Sequence, residues 1–169
     1  GGCASTPGTT WEGFLSRRLG IDFVNLGFSG QGWADIAVAE AIAELNASCI
    51  VLDHWANICH NPLGYRGSIG PFIKVLRDAM PTVPIILTGP YFYPAEFFNA
   101  DHHALRKEIR ASVRALQKNG DANIHFFDSR KMMGPEETFG TVDGCHPTSL
   151  GFYLMAKAFA PALKKLLCL

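Results

Sequence analysis

The chain has 169 residues, 48% of them apolar and 18% charged, which suffices for the core of one domain and excludes disorder from too little hydrophobicity. Fifteen basic residues balance fifteen acidic ones, so the electrostatic footprint of a nucleic-acid binder is missing. No apolar run approaches the ~20 residues that cross a bilayer, so no membrane association is expected. The first residues lack the basic-plus-apolar pattern of a leader, which leaves a removed leader open. Cys3, Cys49, Cys59, Cys145 and Cys168 are odd in number, with no Cys-x-x-Cys pair. That points to free thiols and a reducing, cytoplasm-like compartment rather than a disulfide framework. Asn46-Ala47-Ser48 matches the glycosylation sequon, but it falls between a helical and a strand-like run and is read as chance.

In chain order, Gly1 to Gly8 is a turn-like opening, followed by a helix around Trp11 to Leu19. Asp22 to Gly27 (DFVNLG) is β-favouring and ends in glycine. From Asp35, an N-cap residue type, Ile36, Ala39, Ile42 and Ala43 recur at helical spacing. Cys49 to Leu52 is a compact apolar run of the buried-strand kind. Ile69, Phe72, Ile73 and Leu76 predict a second amphipathic helix stopped near Pro81, and Val83 to Thr88 a third strand closed by Gly89-Pro90. Leu105, Ile109, Val113 and Leu116 predict a long helix ending at Asn119-Gly120. Ile124 to Phe127 is a fourth strand, and a last helix runs from Ser149 past Pro161. Strands alternating with helices predict an α/β fold, a parallel sheet covered on both faces. Such a domain normally opens with a strand that feeds its first helix. Here the first helix has none, so a strand is expected upstream of Gly1.

Ligands of open parallel sheets bind at the carboxyl ends of the strands, which directs attention to the loops there. After the first predicted strand comes Gly27-Phe28-Ser29-Gly30-Gln31-Gly32. Glycines let such a loop present backbone N–H groups to an anion, although a tight turn alone also needs them. Ser29 departs from the nucleophile-elbow pattern Gly-x-Ser-x-Gly because Gln31 stands where its last glycine belongs. After the second comes Asp53-His54-Trp55-Ala56-Asn57. A side-chain amide there can donate to a developing oxyanion, or it can satisfy loop carbonyls. After the third, Gly89-Pro90-Tyr91-Phe92-Tyr93-Pro94 can wall a substrate pocket or shield the sheet end. The most distinctive local motif is Asp143-Gly144-Cys145-His146-Pro147. A carboxylate three residues before an imidazole can fix its tautomer and leave the other ring nitrogen as a general base, and the spacing also suits a surface pair without chemical role. His102-His103 opens a helix, while His54, His60 and His125 are scattered; with no metal-ligand spacing, no metal is expected.

Taken in order, these blocks resemble the SGNH (GDSL-like) hydrolase family across essentially the whole chain. Asn25-Leu26-Gly27-Phe28-Ser29-Gly30 resembles the second family block, and the resemblance assigns the Gly30 N–H to an oxyanion hole. Trp55-Ala56-Asn57 resembles the third block, whose asparagine amide serves the same hole, although Ile58 follows Asn57 where the family carries aspartate. Asp143-Gly144-Cys145-His146-Pro147 matches the last block, Asp-x-x-His, and implies a triad containing Asp143 and His146. Trp55 and Tyr91 are the expected substrate-binding aromatics.

The first family block, with its nucleophilic serine, is absent. Gly1-Gly2-Cys3-Ala4-Ser5 resembles the continuation of a Gly-x-Ser-Ile-Thr-Gln-Gly-Gly block, so the serine is expected a few residues before Gly1, and neither Ser5 nor Ser29 replaces it. The family implies a single three-layer α/β/α domain over residues 1–169, flavodoxin-like, with strand order 2-1-3-4-5 and its first, central strand upstream of Gly1. Without that strand, buried N–H and C=O groups of its neighbours lose partners at ~1–3 kcal/mol each, against a domain stability of ~5–15 kcal/mol. An upstream peptide supplying strand and serine is therefore an expected partner. The implied function is a cofactor-free serine esterase acting on small carboxylic esters, acetylated sugars among them. An acyltransferase of the same fold and a non-catalytic α/β binding module are the alternatives. A flavodoxin-type flavin or nucleotide binder would need a phosphate-cradling loop that is not visible.

Overall fold

Three of the four predicted β-favouring runs become strands of one parallel sheet in the computed structural model, which describes residues 3–58, 62–98 and 101–169. Gly1, Gly2, Cys59 and His60, named above, lie outside the described residues. The described residues resolve into two compact units, one drawing on Gly1–Ser29, Tyr91–Phe98 and Asp128–Leu169, the other on Gly30–Pro90 and Asn99–Phe127.

The second unit carries the sheet. Strands β1 (Ile50–Leu52), β2 (Ile85–Thr88) and β3 (Ile124–Phe127) lie in the order β1-β2-β3. Ile50 registers with Ile85 and Ile85 with Ile124. Central β2 is buried along its whole length, whereas β1 and β3, each with one open edge in this sheet, are only part-buried. That is why the run Ile-Ile-Leu-Thr has no polar alternation. Helices α2 (Ile36–Ala43), α3 (Pro62–Ala79) and α4 (Asp101–Lys118) belong to the same unit. Ile69, Phe72, Ile73 and Leu76 of α3 and Leu105, Ile109 and Val113 of α4 are buried as their helical spacing predicts. Arg77 ties the end of α3 to the strand entrances: it pairs with Asp121 at 2.7 Å and donates to the carbonyls of Val83 (2.5 Å) and Asn123 (3.0 Å). Gly120, at φ +100°, turns the chain after α4, as the Asn-Gly signal predicted.

The first unit is helical. Helix α1 (Trp11–Leu19) starts on Thr10, whose side chain accepts from the Gly13 N–H, and ends at left-handed Gly20. Helix α5 (Ser149–Leu167) is capped by Thr148 and buries Phe152, Met155, Phe159 and Leu163. Trp11 meets Phe159 and Phe14 meets Tyr153, with ring centroids 5.5 Å apart in each pair. Pro161 is carried inside the helix, as the reading of one helix from Ser149 past Pro161 anticipated.

One predicted element does not form. Residues 21–28 have no regular secondary structure, and Val24 is 68% exposed, with Leu26 and Phe28 exposed beside it. β-favouring side chains do not make a strand by themselves, because the ladder needs a second backbone to receive its N–H and C=O groups. The described sheet is thus the 3-4-5 part of the expected order. Among the described residues, no helix is long and apolar enough to cross a membrane.

Candidate active site

Asp143 and His146 meet as their spacing suggested, and the backbone explains how. Gly144 takes φ +81°, a left-handed turn that brings the chain back toward Asp143. Asp143 Oδ1 then accepts the N–H of Cys145 (2.9 Å) and of His146 (2.7 Å), and Oδ2 lies 2.7 Å from His146 Nδ1. The ends of this turn are stitched together by Val142 N–H to the His146 carbonyl and Thr148 N–H to the Gly140 carbonyl, both 2.8 Å. Gly151, in the first turn of α5, lets that helix pack against the Gly140 carbonyl: a Cβ there would lie 2.1 Å from the oxygen. Backbone and imidazole hydrogen bonds from His146, then the Cys145 N–H, hold the Asp143 carboxyl down at about 2. It is therefore ionised and acceptor-only at neutral pH. The carboxylate selects the tautomer with hydrogen on Nδ1, so Nε2 is the nitrogen that can take a proton. Both side chains are more than half exposed and open to a reactant.

Tyr91 and Tyr93 belong to the same unit. Tyr91 is 5% exposed, and its hydroxyl donates to the Cys145 carbonyl at 2.5 Å. Tyr93 is also buried, with its ring centroid 4.8 Å from that of Tyr91 and its hydroxyl donating to Tyr91 Oη at 3.3 Å. Burial, then the neighbouring Tyr91, pushes the Tyr93 phenol well above its usual range.

In the other unit, Gly30 takes φ +82° beside Ser29 at φ 41°. Asn57 closes a short 3-10 turn, Trp55–Asn57, and its Oδ1 accepts the Gly32 N–H at 2.8 Å. That bond joins the loop after β1 to the loop carrying Gly30 and spends the amide oxygen, which leaves Nδ2 as the donor end. Gly32 has no room for a side chain, since a Cβ would lie 2.8 Å from Asn57 Oδ1. Trp55 is 2% exposed and donates from Nε1 to Asp53 Oδ1 at 2.8 Å, an oxygen the Thr88 hydroxyl also reaches.

The GDSL-like lipase/acylhydrolase family model matches residues 1–164. The chain belongs to that family. Among solved structures it is similar to a GDSL-like protein of Bacteroides ovatus, at 33% identity and TM-score 0.86 over 98% of this chain and 49% of that one. It is also similar in fold to a salicylyl-acyltransferase from a tetracycline biosynthetic pathway, at 23% identity and TM-score 0.86 over 97% of this chain and 51% of that one. A carbohydrate esterase family 3 protein of Talaromyces cellulolyticus shares the fold at 18% identity and TM-score 0.71, over 94% of this chain and 91% of the other. The chain spans about half the length of the first two. No curated protein matches it in sequence.

As a GDSL-like chain it brings Asp143 onto His146, sets Tyr91 against the same turn and links the Gly30 and Asn57 loops through Gly32. Trp55 and Tyr91, expected at the substrate, both have buried rings and polar atoms bonded to protein. Sequence reasoning placed Tyr93 in the aromatic loop and His54 among the scattered histidines, without assigning either to the site. Tyr93 was within reach of it, because in an extended Tyr-Phe-Tyr run residues i and i+2 share a side. The His54 ring stacks on Tyr65 at 5.8 Å, its Nε2 is buried without a hydrogen-bond partner, and burial lowers its pKa to about 4. Asp143, Cys145 and His146 offer ligand atoms within 4.8 Å of one another. However, the carboxylate already engages the imidazole, and burial raises the Cys145 thiol, which favours the protonated form.

Proposed function

We propose that this chain carries out acyl chemistry on small carboxylic esters, acetylated carbohydrates among them, with His146 as general base and Asp143 as its orienting carboxylate. The observation that carries this reading is the 2.7 Å contact of Asp143 Oδ2 with His146 Nδ1 while both backbone N–H groups of the turn are held on Oδ1. The attacking hydroxyl is assigned to the serine of the first family block, before Gly1. As its oxygen bonds to the ester carbonyl carbon, its proton passes to Nε2 and the C=O electron pair moves onto oxygen. By family resemblance the Gly30 N–H and the Asn57 amide receive that oxyanion. Collapse expels the alkoxide, which takes the proton back from His146. Water or a second alcohol then attacks the acyl-enzyme by the same route.

Hydrolysis and transfer differ only in that last acceptor. Turnover of p-nitrophenyl acetate by the full-length protein, with and without added alcohol, measures the partition. Release of free acetate with little acetyl ester of the added alcohol is expected for the wild type, and no turnover for His146→Ala. Wild-type turnover in His146→Ala would refute the reading.

A further inference from the structure

The peptide unit between Cys145 and His146 is held at both ends. Its N–H donates to Asp143 Oδ1 at 2.7 Å, and its carbonyl accepts the Tyr91 hydroxyl at 2.5 Å. The next carbonyl, that of His146, accepts the Val142 N–H at 2.8 Å. A peptide unit is planar, so fixing its two polar ends fixes the rotation on either side, including φ of His146 and the direction of its Cα–Cβ bond. Tyr91 is thus one of the groups that aim the imidazole, although it does not touch it.

The hydrogen bonds around Tyr91 continue to a second phenol. The Tyr91 hydroxyl donates to the Cys145 carbonyl, and its oxygen accepts the Tyr93 hydroxyl at 3.3 Å. Both rings are buried, which keeps water from competing for these bonds.

We propose that Tyr91 and Tyr93 are positioning residues for His146, forming a relay of hydrogen bonds onto the Cys145 carbonyl that holds the Asp143–His146 turn in its proton-transferring geometry. This rests on the reading of His146 as general base. Tyr91 reaches the turn directly. Tyr93 acts through Tyr91, so its loss has the smaller effect.

The experiment pairs kinetics with NMR of the His146 ring in the full-length protein. Tyr91→Phe keeps the ring but removes the hydroxyl. It is expected to lower kcat about tenfold, the scale of one modest interaction in the transition state, with KM within about twofold. It is also expected to weaken or shift the downfield Nδ1 proton resonance of the His146–Asp143 pair. Tyr93→Phe moves both readouts in the same direction by less, and it serves as the test should Tyr91→Phe fail to fold. Wild-type kcat together with an unmoved Nδ1 resonance in a folded Tyr91→Phe or Tyr93→Phe protein overturns the proposal. Failure of the esterase reading looks different, since His146→Ala would then turn over like wild type while the resonance still reports on the tyrosines.

Discussion

The turn carrying Asp143 and His146 and the loops carrying Gly30 and Asn57 are built to different standards. The turn is over-determined: one carboxylate oxygen takes two backbone N–H groups, the other takes the imidazole, and Tyr91 holds the carbonyl between them. Among the described residues, the Gly30 and Asn57 loops are joined by the Gly32 N–H donating to Asn57 Oδ1. Preorganisation is thus concentrated on the proton-transfer partners, where a misplacement of ~1 Å is costly. The oxyanion donors assigned by resemblance rest on one amide and one left-handed glycine.

Breaking the turn gives the largest effect. Asp143→Asn removes the charge that supports the imidazolium and lets the imidazole adopt the wrong tautomer, so kcat is expected to fall by ~10⁴-fold with KM little changed. Steady-state kinetics on an activated ester check it. A fall of only a few-fold would mean the pair is a surface contact without a chemical role. In the other loops, Asn57→Ala removes one oxyanion donor and is expected to lower kcat by ~10²–10³-fold. Near-normal turnover would take Asn57 out of the hole and leave its bond to Gly32 as its whole task.

The smallest effect is on stability and separates the two regions by pH. His54, beside the Asn57 turn, has its pKa lowered by burial from 6.5 to about 4. Between those values the unfolded chain binds more protons than the folded one, so stability falls on acidification from about pH 6.5 to pH 4, on the order of 3 kcal/mol in all. Asp143 has its pKa lowered from 3.8 to about 2 by the His146 and Cys145 hydrogen bonds. Its contribution is present above about pH 4 and is lost as pH falls through 2. Chemical denaturation across pH should show His54→Phe flattening the upper window and Asp143→Asn the lower. If His54→Phe leaves the slope between pH 6.5 and 4 unchanged, burial of the neutral imidazole does not set that slope.

Much of this architecture was legible in the residues because it depends on local pattern. Ile50–Leu52, Ile85–Thr88 and Ile124–Phe127 are apolar runs bounded by turn residues, and the burial of Ile69, Ile73, Leu76, Leu105, Ile109 and Val113 follows helical spacing. The Asp-x-x-His pair was legible because a turn of four residues needs no distant partner. Residues 22–27 were misread because their side chains favour a strand, whereas a strand also requires a neighbouring backbone that local sequence does not report. The aromatic loop was legible in composition only. Whether Tyr91 faces a ligand or a carbonyl depends on where the Cys145 peptide lies, more than fifty residues further along the chain. His54 was opaque for the same reason, since its environment is made by Tyr65 and Phe72 of α3.

The central claim is that His146 activates a serine for attack on an acyl carbon. Its most direct test is labelling of the native full-length protein with a fluorophosphonate, read by intact mass and peptide mapping, alongside His146→Ala. The account predicts a single adduct on a serine, formed rapidly in the wild type and lost in the variant. No adduct, or an adduct whose rate does not depend on His146, would contradict it.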